Sequence, residues 1–314
     1  MQRFSVSIVA LILCFAFSLS ALAQSEDKPK RARLPKWEKF PSDVFFRDAF
    51  KEGLVGPRPA SLGQPKPATG DQKSTGATTL KTNLFSWKSI IGAQTLEDEI
   101  KSLQMEVKKT ITTPSKFTGG GYQDAQRLFT ELAMLFSIIQ EYDADVRWKD
   151  DAAVARDLFA RAAANTKTTS IQAFNESKQR KMDLEELVRG GSLVQKTKNE
   201  QNNWELIHRG SLMKRFTKSY DDGLAIWTAN DAAFEKNKAK IKHECELLMA
   251  MATVLTQKGM EDGDDDDYVA YSKQLEKAAG SVLSSLEVGD AESARKSSSD
   301  VGQSCVACHE DYRG

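Results

Sequence analysis

Beyond Leu84 the apolar side chains recur at helical spacing along most of the chain. Leu96, Ile100, Leu103, Val107 and Ile111 step by four and three, which puts them on one face of a helix. Thr95 with Asp98 reads as its N-terminal cap and Pro114 as its stop. After a break at Gly119–Gly121, a second stripe runs through Leu128, Leu132, Leu135, Ile139, Tyr142 and Val146. Leu158, Phe159 and Ala162 mark a third helix. Ile171, Phe174 and Leu184 mark a fourth, ended by Gly190 and Gly191. The plan then repeats. A helix is expected from about Trp204 to Tyr220, then a stripe through Ile241, Cys245, Leu248, Ala252 and Leu255. Tyr268, Tyr271, Leu275, Val282 and Leu286 form the next, and Ala291 to Arg313 the last. Two runs of four helices with short connections predict an all-α chain of two tandem four-helix bundles, residues 84–191 and 192–314.

The repetition is also visible in letters. Glu131-Leu132-Ala133-Met134-Leu135 matches Glu246-Leu247-Leu248-Met249-Ala250, about 115 residues on. Ser102-Leu103-Gln104-Met105 resembles Ser211-Leu212-Met213, and Arg161-Ala162-Ala163 resembles Lys277-Ala278-Ala279. A period this long is not that of a solenoid and points to duplication of one bundle.

The N-terminal part reads differently. Arg3, the apolar run Val6 to Phe17 and the small-x-small triplet Ala21-Leu22-Ala23 have the form of a signal peptide cleaved near Ala23, so export to the periplasm or beyond is expected. Leu13 precedes Cys14 where a lipidation site would need a small residue. Residues 24–83 read as a disordered segment. It opens with a basic stretch of Lys28, Lys30, Arg31, Arg33, Lys36 and Lys39, and Gly56 to Thr79 is rich in Pro, Gly, Ser and Thr. Over the whole chain 44 basic side chains balance 44 acidic ones, which gives no reason to propose nucleic acid as a partner.

The chemistry concentrates at Cys305-Val306-Ala307-Cys308-His309. C-x-x-C-H is the attachment pattern of haem c. Two thiols on one helical face, expected at a helix start, reach two vinyl groups on one porphyrin edge, and the next imidazole is placed as proximal iron ligand. The rival readings are weaker. A thioredoxin-like motif needs a βαβ context, and a zinc site needs a second ligand pair, whereas His243 and Cys245 diverge on a helix. A disulfide between Cys305 and Cys308 would leave His309 unexplained. Cys245 reads as a small buried residue, and Glu261 to Asp267 as a solvated acidic loop whose last residues cap the next helix.

A C-x-x-C-H on the last helix of a four-helix bundle, followed by Tyr312 and Arg313, resembles the class II c-type cytochromes, the family of cytochrome c′. The resemblance covers roughly residues 200–314; residues 84–191 hold no Cys or His, so that half is expected to be haem-less. It implies one covalent haem c, with His309 proximal. Arg209-Gly210-Ser211-Leu212-Met213 then matches the family's distal segment, with Met213 as candidate sixth ligand and His208 as the lesser one. Arg209 and Arg313 are implied to meet the haem propionates. The implied function is electron transfer with redox partner proteins rather than enzymatic turnover; a peroxidase would want a distal acid–base His. If the distal position is open, the same frame implies binding of a diatomic gas, nitric oxide or carbon monoxide. The family also implies a homodimer, unless the duplicated unit covers that surface.

Overall fold

The computed structural model describes residues 85–195, 197 and 201–312. The expected signal peptide, the segment 24–83 and Arg313 lie outside the described residues. Eight helices carry the fold: α1 (Ala93–Thr110), α2 (Tyr122–Glu141), α3 (Ala152–Asn165), α4 (Ile171–Arg189), α5 (Arg209–Ser219), α6 (Asp231–Leu255), α7 (Asp266–Val288) and α8 (Ala291–Tyr312). Among the described residues there is no strand, and no helix is long and apolar enough to cross a membrane.

Local chemistry explains most boundaries. Ser170, Asn230 and Asp265 cap α4, α6 and α7 by accepting from the backbone N–H groups of Ala173, Ala233 and Tyr268, at 3.1, 2.9 and 3.0 Å. Asp290 does the same for α8 through Ser293, at 2.9 Å. Gly190 and Gly289 end α4 and α7 in the left-handed conformation that glycine adopts without strain. Four expectations need correction. Thr95 does not cap α1; Gly92 stands at the cap before Ala93, and the Thr95 hydroxyl donates to Glu246 Oε2 of α6 at 2.5 Å. The α2 stripe does not continue through Tyr142 and Val146. The backbone turns extended at Tyr142, whose hydroxyl binds the Ile91 carbonyl at 2.9 Å. Ile171 is 57% exposed at the mouth of α4 rather than on its buried face. The helix expected from Trp204 is a 3₁₀ turn to Leu206, a new start capped by His208, then a π turn over Tyr220–Leu224.

The described residues fall within one compact unit. Within it α1 packs on α2 and α4, and α3 on α2 and α4; α6 packs on α5, α7 and α8, and α7 on α8. Between the two sets, α2 meets α5 and α1 meets α6. The α1–α4 interior is filled by rings: Phe129 and Phe136 stack on Phe159 at 6.0 and 5.6 Å, Phe117 meets Phe174 at 5.6 Å, and Trp148 meets Phe136 at 6.3 Å. Each such ring contributes several kcal/mol through buried area and contact, so removing one would cost roughly 3–5 kcal/mol.

A charged network crosses the junction of the two sets. The Arg215 side chain of α5 is 4% exposed and makes five hydrogen bonds, to Glu131 Oε1 (2.6 Å), Glu99 Oε1 (3.2 Å), both oxygens of Glu244 (2.9 and 3.2 Å) and Ser219. His243 of α6 binds Glu99 Oε2 at 2.8 Å, and Arg127 binds Glu131 at 3.2 Å. Burial works against the charge on Glu99, but His243 and Arg215 outweigh it and hold its carboxyl down at about 2. Complete burial of Glu131, with Glu99 adding to it against the pull of Arg215, pushes its carboxyl up to about 8. Burial also opposes charge on His243, yet Glu99 prevails and raises it.

These shifts set a pH profile. The depressed Glu99 stabilises the fold above its ordinary value of 4.5, and that contribution is lost as pH falls toward 2. The raised Glu131 stabilises fully below 4.5 and loses its contribution as pH rises through about 8. His243 acts in the same sense as Glu131, from 6.5 upward. Thermal melts from about pH 3 to pH 9 should therefore peak in mildly acid solution, and Glu131→Gln should flatten the alkaline limb. An unaltered alkaline slope in that variant would refute the assignment.

Candidate functional site

Cys305, Cys308 and His309 lie in the last two turns of α8, not at a helix start. Their spacing of three and four residues places them on one face wherever they sit in a helix. That face borders a cavity of about 320 Å³. Met213 and Phe216 of α5, Tyr220 and Asp221 of the π turn, Leu255 of α6 and Tyr271, Ser272 and Leu275 of α7 close it. A second depression of about 420 Å³ shares Met213, Thr217, Cys308 and His309 with the first, and opens toward Arg209, Glu261, Tyr268 and Tyr312. The two sulfurs and the imidazole thus stand on one side of a mostly apolar space, with Met213 on another.

The site's electrostatics favour neutral thiols. Burial raises Cys305, and Cys308 and Asp221 add to it; burial likewise raises Cys308. Neither is in a disulfide. Ser272 Oγ is buried on the cavity wall with no hydrogen-bond partner among the described residues. At Gly302, one turn before Cys305, an added Cβ would stand 2.4 Å from the Tyr220 hydroxyl, so a side chain there would displace that wall. A glycine inside a helix costs about 1 kcal/mol relative to alanine, and the close approach of Tyr220 is its physical reason here.

The other expected residues fall as follows. Arg209 lines the second depression but binds Glu261 Oε1 at 3.0 Å and Asp262, and its guanidinium lies 5.6 Å over the Tyr268 ring. Burial opposes its charge, and Asp262 and Glu261 outweigh that and raise it. Tyr312 donates to Asp265 Oδ1 at 2.5 Å and packs edge-on against Tyr268 at 5.1 Å; the bond to Asp265 raises its phenol. His208 does not reach the cavity: its Nδ1 accepts from Ser211 N at 3.1 Å as the cap of α5. His243 faces Glu99 while Cys245 is buried in the core, so the two diverge as their spacing requires.

Sequence reading missed the far wall. Tyr220 and Asp221 reach the cavity because the π turn carries α5 one residue out of register, and such turns cluster at functional positions. The only signals for it were Gly223 in the turn and Gly302 opposite.

No protein-family model, curated protein or solved structure matches the chain.

The thiols differ enough for a direct check. In folded protein prepared without haem attachment, iodoacetamide should modify Cys305 and Cys308 while Cys245, fully buried with a thiol pushed up by burial, reacts only after denaturation. Equal labelling of Cys245 in the native protein, read by peptide mass spectrometry, would contradict this placement.

Proposed function

We propose that the chain is an exported mono-haem c-type cytochrome that transfers single electrons, built as a duplicated class II bundle with haem only in its C-terminal unit. The observation that carries the reading is the cavity that Cys305, Cys308 and His309 share with Met213. The residues present fit the group. Cys305 and Cys308 would bind it through thioethers, and His309 would ligate its iron. Phe216, Leu255 and Leu275 would exclude water, and the unpartnered Ser272 hydroxyl offers a polar contact in the wall. Met213 would ligate from α5, and Arg209 would exchange Glu261 and Asp262 for a propionate. Haem c, when bound, supplies an iron that cycles between ferric and ferrous states.

Further features support parts of this reading. Of the three histidines in the sequence, His208 caps a helix and His243 binds Glu99, so neither is poised at the cavity for peroxidase-type acid–base work. The three stretches of letter similarity fall on α1 and α5, α2 and α6, and α3 and α7, the order a duplication requires. Each set is also entered through a 3₁₀ turn that starts with a tryptophan, Trp87 and Trp204, and these rings meet at 5.8 Å. The α1–α4 interior holds phenylalanines where α5–α8 leave a cavity, in keeping with a haem-less first unit. Redox proteins are the proposed partners, nucleic acid is not, and a homodimer would have to use a surface other than the α1–α2 and α5–α6 faces already in contact.

The test is the ultraviolet–visible spectrum of protein matured with a haem c attachment system, ferric and ferrous, before and after carbon monoxide. A low-spin ferrous spectrum unaltered by carbon monoxide is expected, and Met213→Ala should turn it high-spin and gas-responsive. A wild-type spectrum that is already high-spin and shifts with carbon monoxide would replace electron transfer by gas binding. Protein without haem would overturn the reading.

A further inference from the structure

Helix α5 presents different chemistry on opposite faces. Met213 lines the cavity. Arg215, two residues on and so about 200° around the helix, points away from it into the glutamates of the other helices. α5 runs on through the π turn into Ala225–Trp227, and where it sits against its neighbours depends on what holds it. Leu212 and Phe216 pack into the core, but apolar contacts tolerate small slides. A guanidinium whose donors are all engaged does not. Its Nε meets Glu131 of α2 at 2.6 Å, one terminal nitrogen meets Glu99 of α1 at 3.2 Å, and both terminal nitrogens grip Glu244 of α6 as a fork. Lys218 adds a tie to Glu106 of α1 at 2.8 Å.

We propose that Arg215 is a positioning residue for the distal side of the cavity: by fastening α5 to Glu99 and Glu131 of the first four helices and to Glu244 of α6, it sets where Met213 stands relative to His309. The inference rests on the haem reading above, and it gives the haem-less helices a role as the support of the distal wall. Haem attachment itself does not depend on Arg215, because Cys305, Cys308 and His309 sit on α8.

The experiment compares haem-loaded wild type with Arg215→Met, Arg215→Lys and Glu244→Gln, each matched for haem content and helical circular dichroism. Ferric and ferrous spectra and carbon monoxide titrations are recorded. If wild-type iron is ligated by Met213, Arg215→Met should become largely high-spin and bind carbon monoxide, Glu244→Gln should do so in part, and Arg215→Lys should recover much of the low-spin form. If the wild-type site is open, the readout is carbon monoxide affinity, expected to move by about tenfold or more in Arg215→Met. Should Arg215→Met fail to fold, Glu244→Gln and Arg215→Lys, which keep most of the network, decide. Variants that load haem and reproduce the wild-type spectra and gas response would overturn the proposal. Wild type that carries no haem would instead overturn the cytochrome reading, before any variant is compared.

Discussion

Arg215 is a charge taken almost wholly out of water where the two sets of helices meet, and that is tolerable only because every donor on it is matched. The partners come from α1, α2 and α6, so one side chain fixes the mutual placement of four helices. It needs negative charge, yet Glu99 and Glu131 lie close enough that both cannot ionise freely. The structure resolves this by lowering Glu99 through His243 and raising Glu131 through burial. Stability, helix placement and proton uptake are therefore coupled at one point. The apolar cavity lies on the far side of the same helix.

Glu246 plays a related part from the opposite direction. It stands in α6 where Glu131 stands in α2, and it reaches into the other set of helices to accept from Gly92 N at 3.0 Å and Thr95 Oγ1 at 2.5 Å. A carboxylate there satisfies unpaired N–H groups and meets the positive end of the α1 dipole. Each second helix thus sends a glutamate across to the other set's first helix, and Trp87 and Trp204 touch between them. The contact has the reciprocal form of a two-fold interface, made within one chain.

The two sets differ in what fills them. Phe117, Phe129, Phe136, Phe159 and Phe174 supply the volume that keeps α1–α4 closely packed. Beside α8 lies a cavity walled by Met213, Tyr220 and Tyr271 and bordered by two thiols and an imidazole. Small residues shape it: Gly302 admits Tyr220, which a side chain would exclude.

The sequence alone determined that the described residues are helical, where most helices run, and which face of most of them is buried, because periodicity and capping act over a few residues. It also singled out Cys305, Cys308 and His309, whose spacing is local. It misplaced the start of α1, the end of α2 and the start of α5, and it did not reveal the π turn, because Glu246, Ile91 and His208 compete there with local propensity through bonds that are long-range or lie outside any periodic pattern. Only the tertiary structure brought Met213 to the cavity of Cys305 and His309, turned Arg209 onto Glu261 and Asp262, and gathered Glu99, Glu131 and Glu244 around Arg215. Those contacts join helices far apart in the chain. No residue spacing encodes them, because what selects them is that a buried charge must find its partners wherever the fold supplies them.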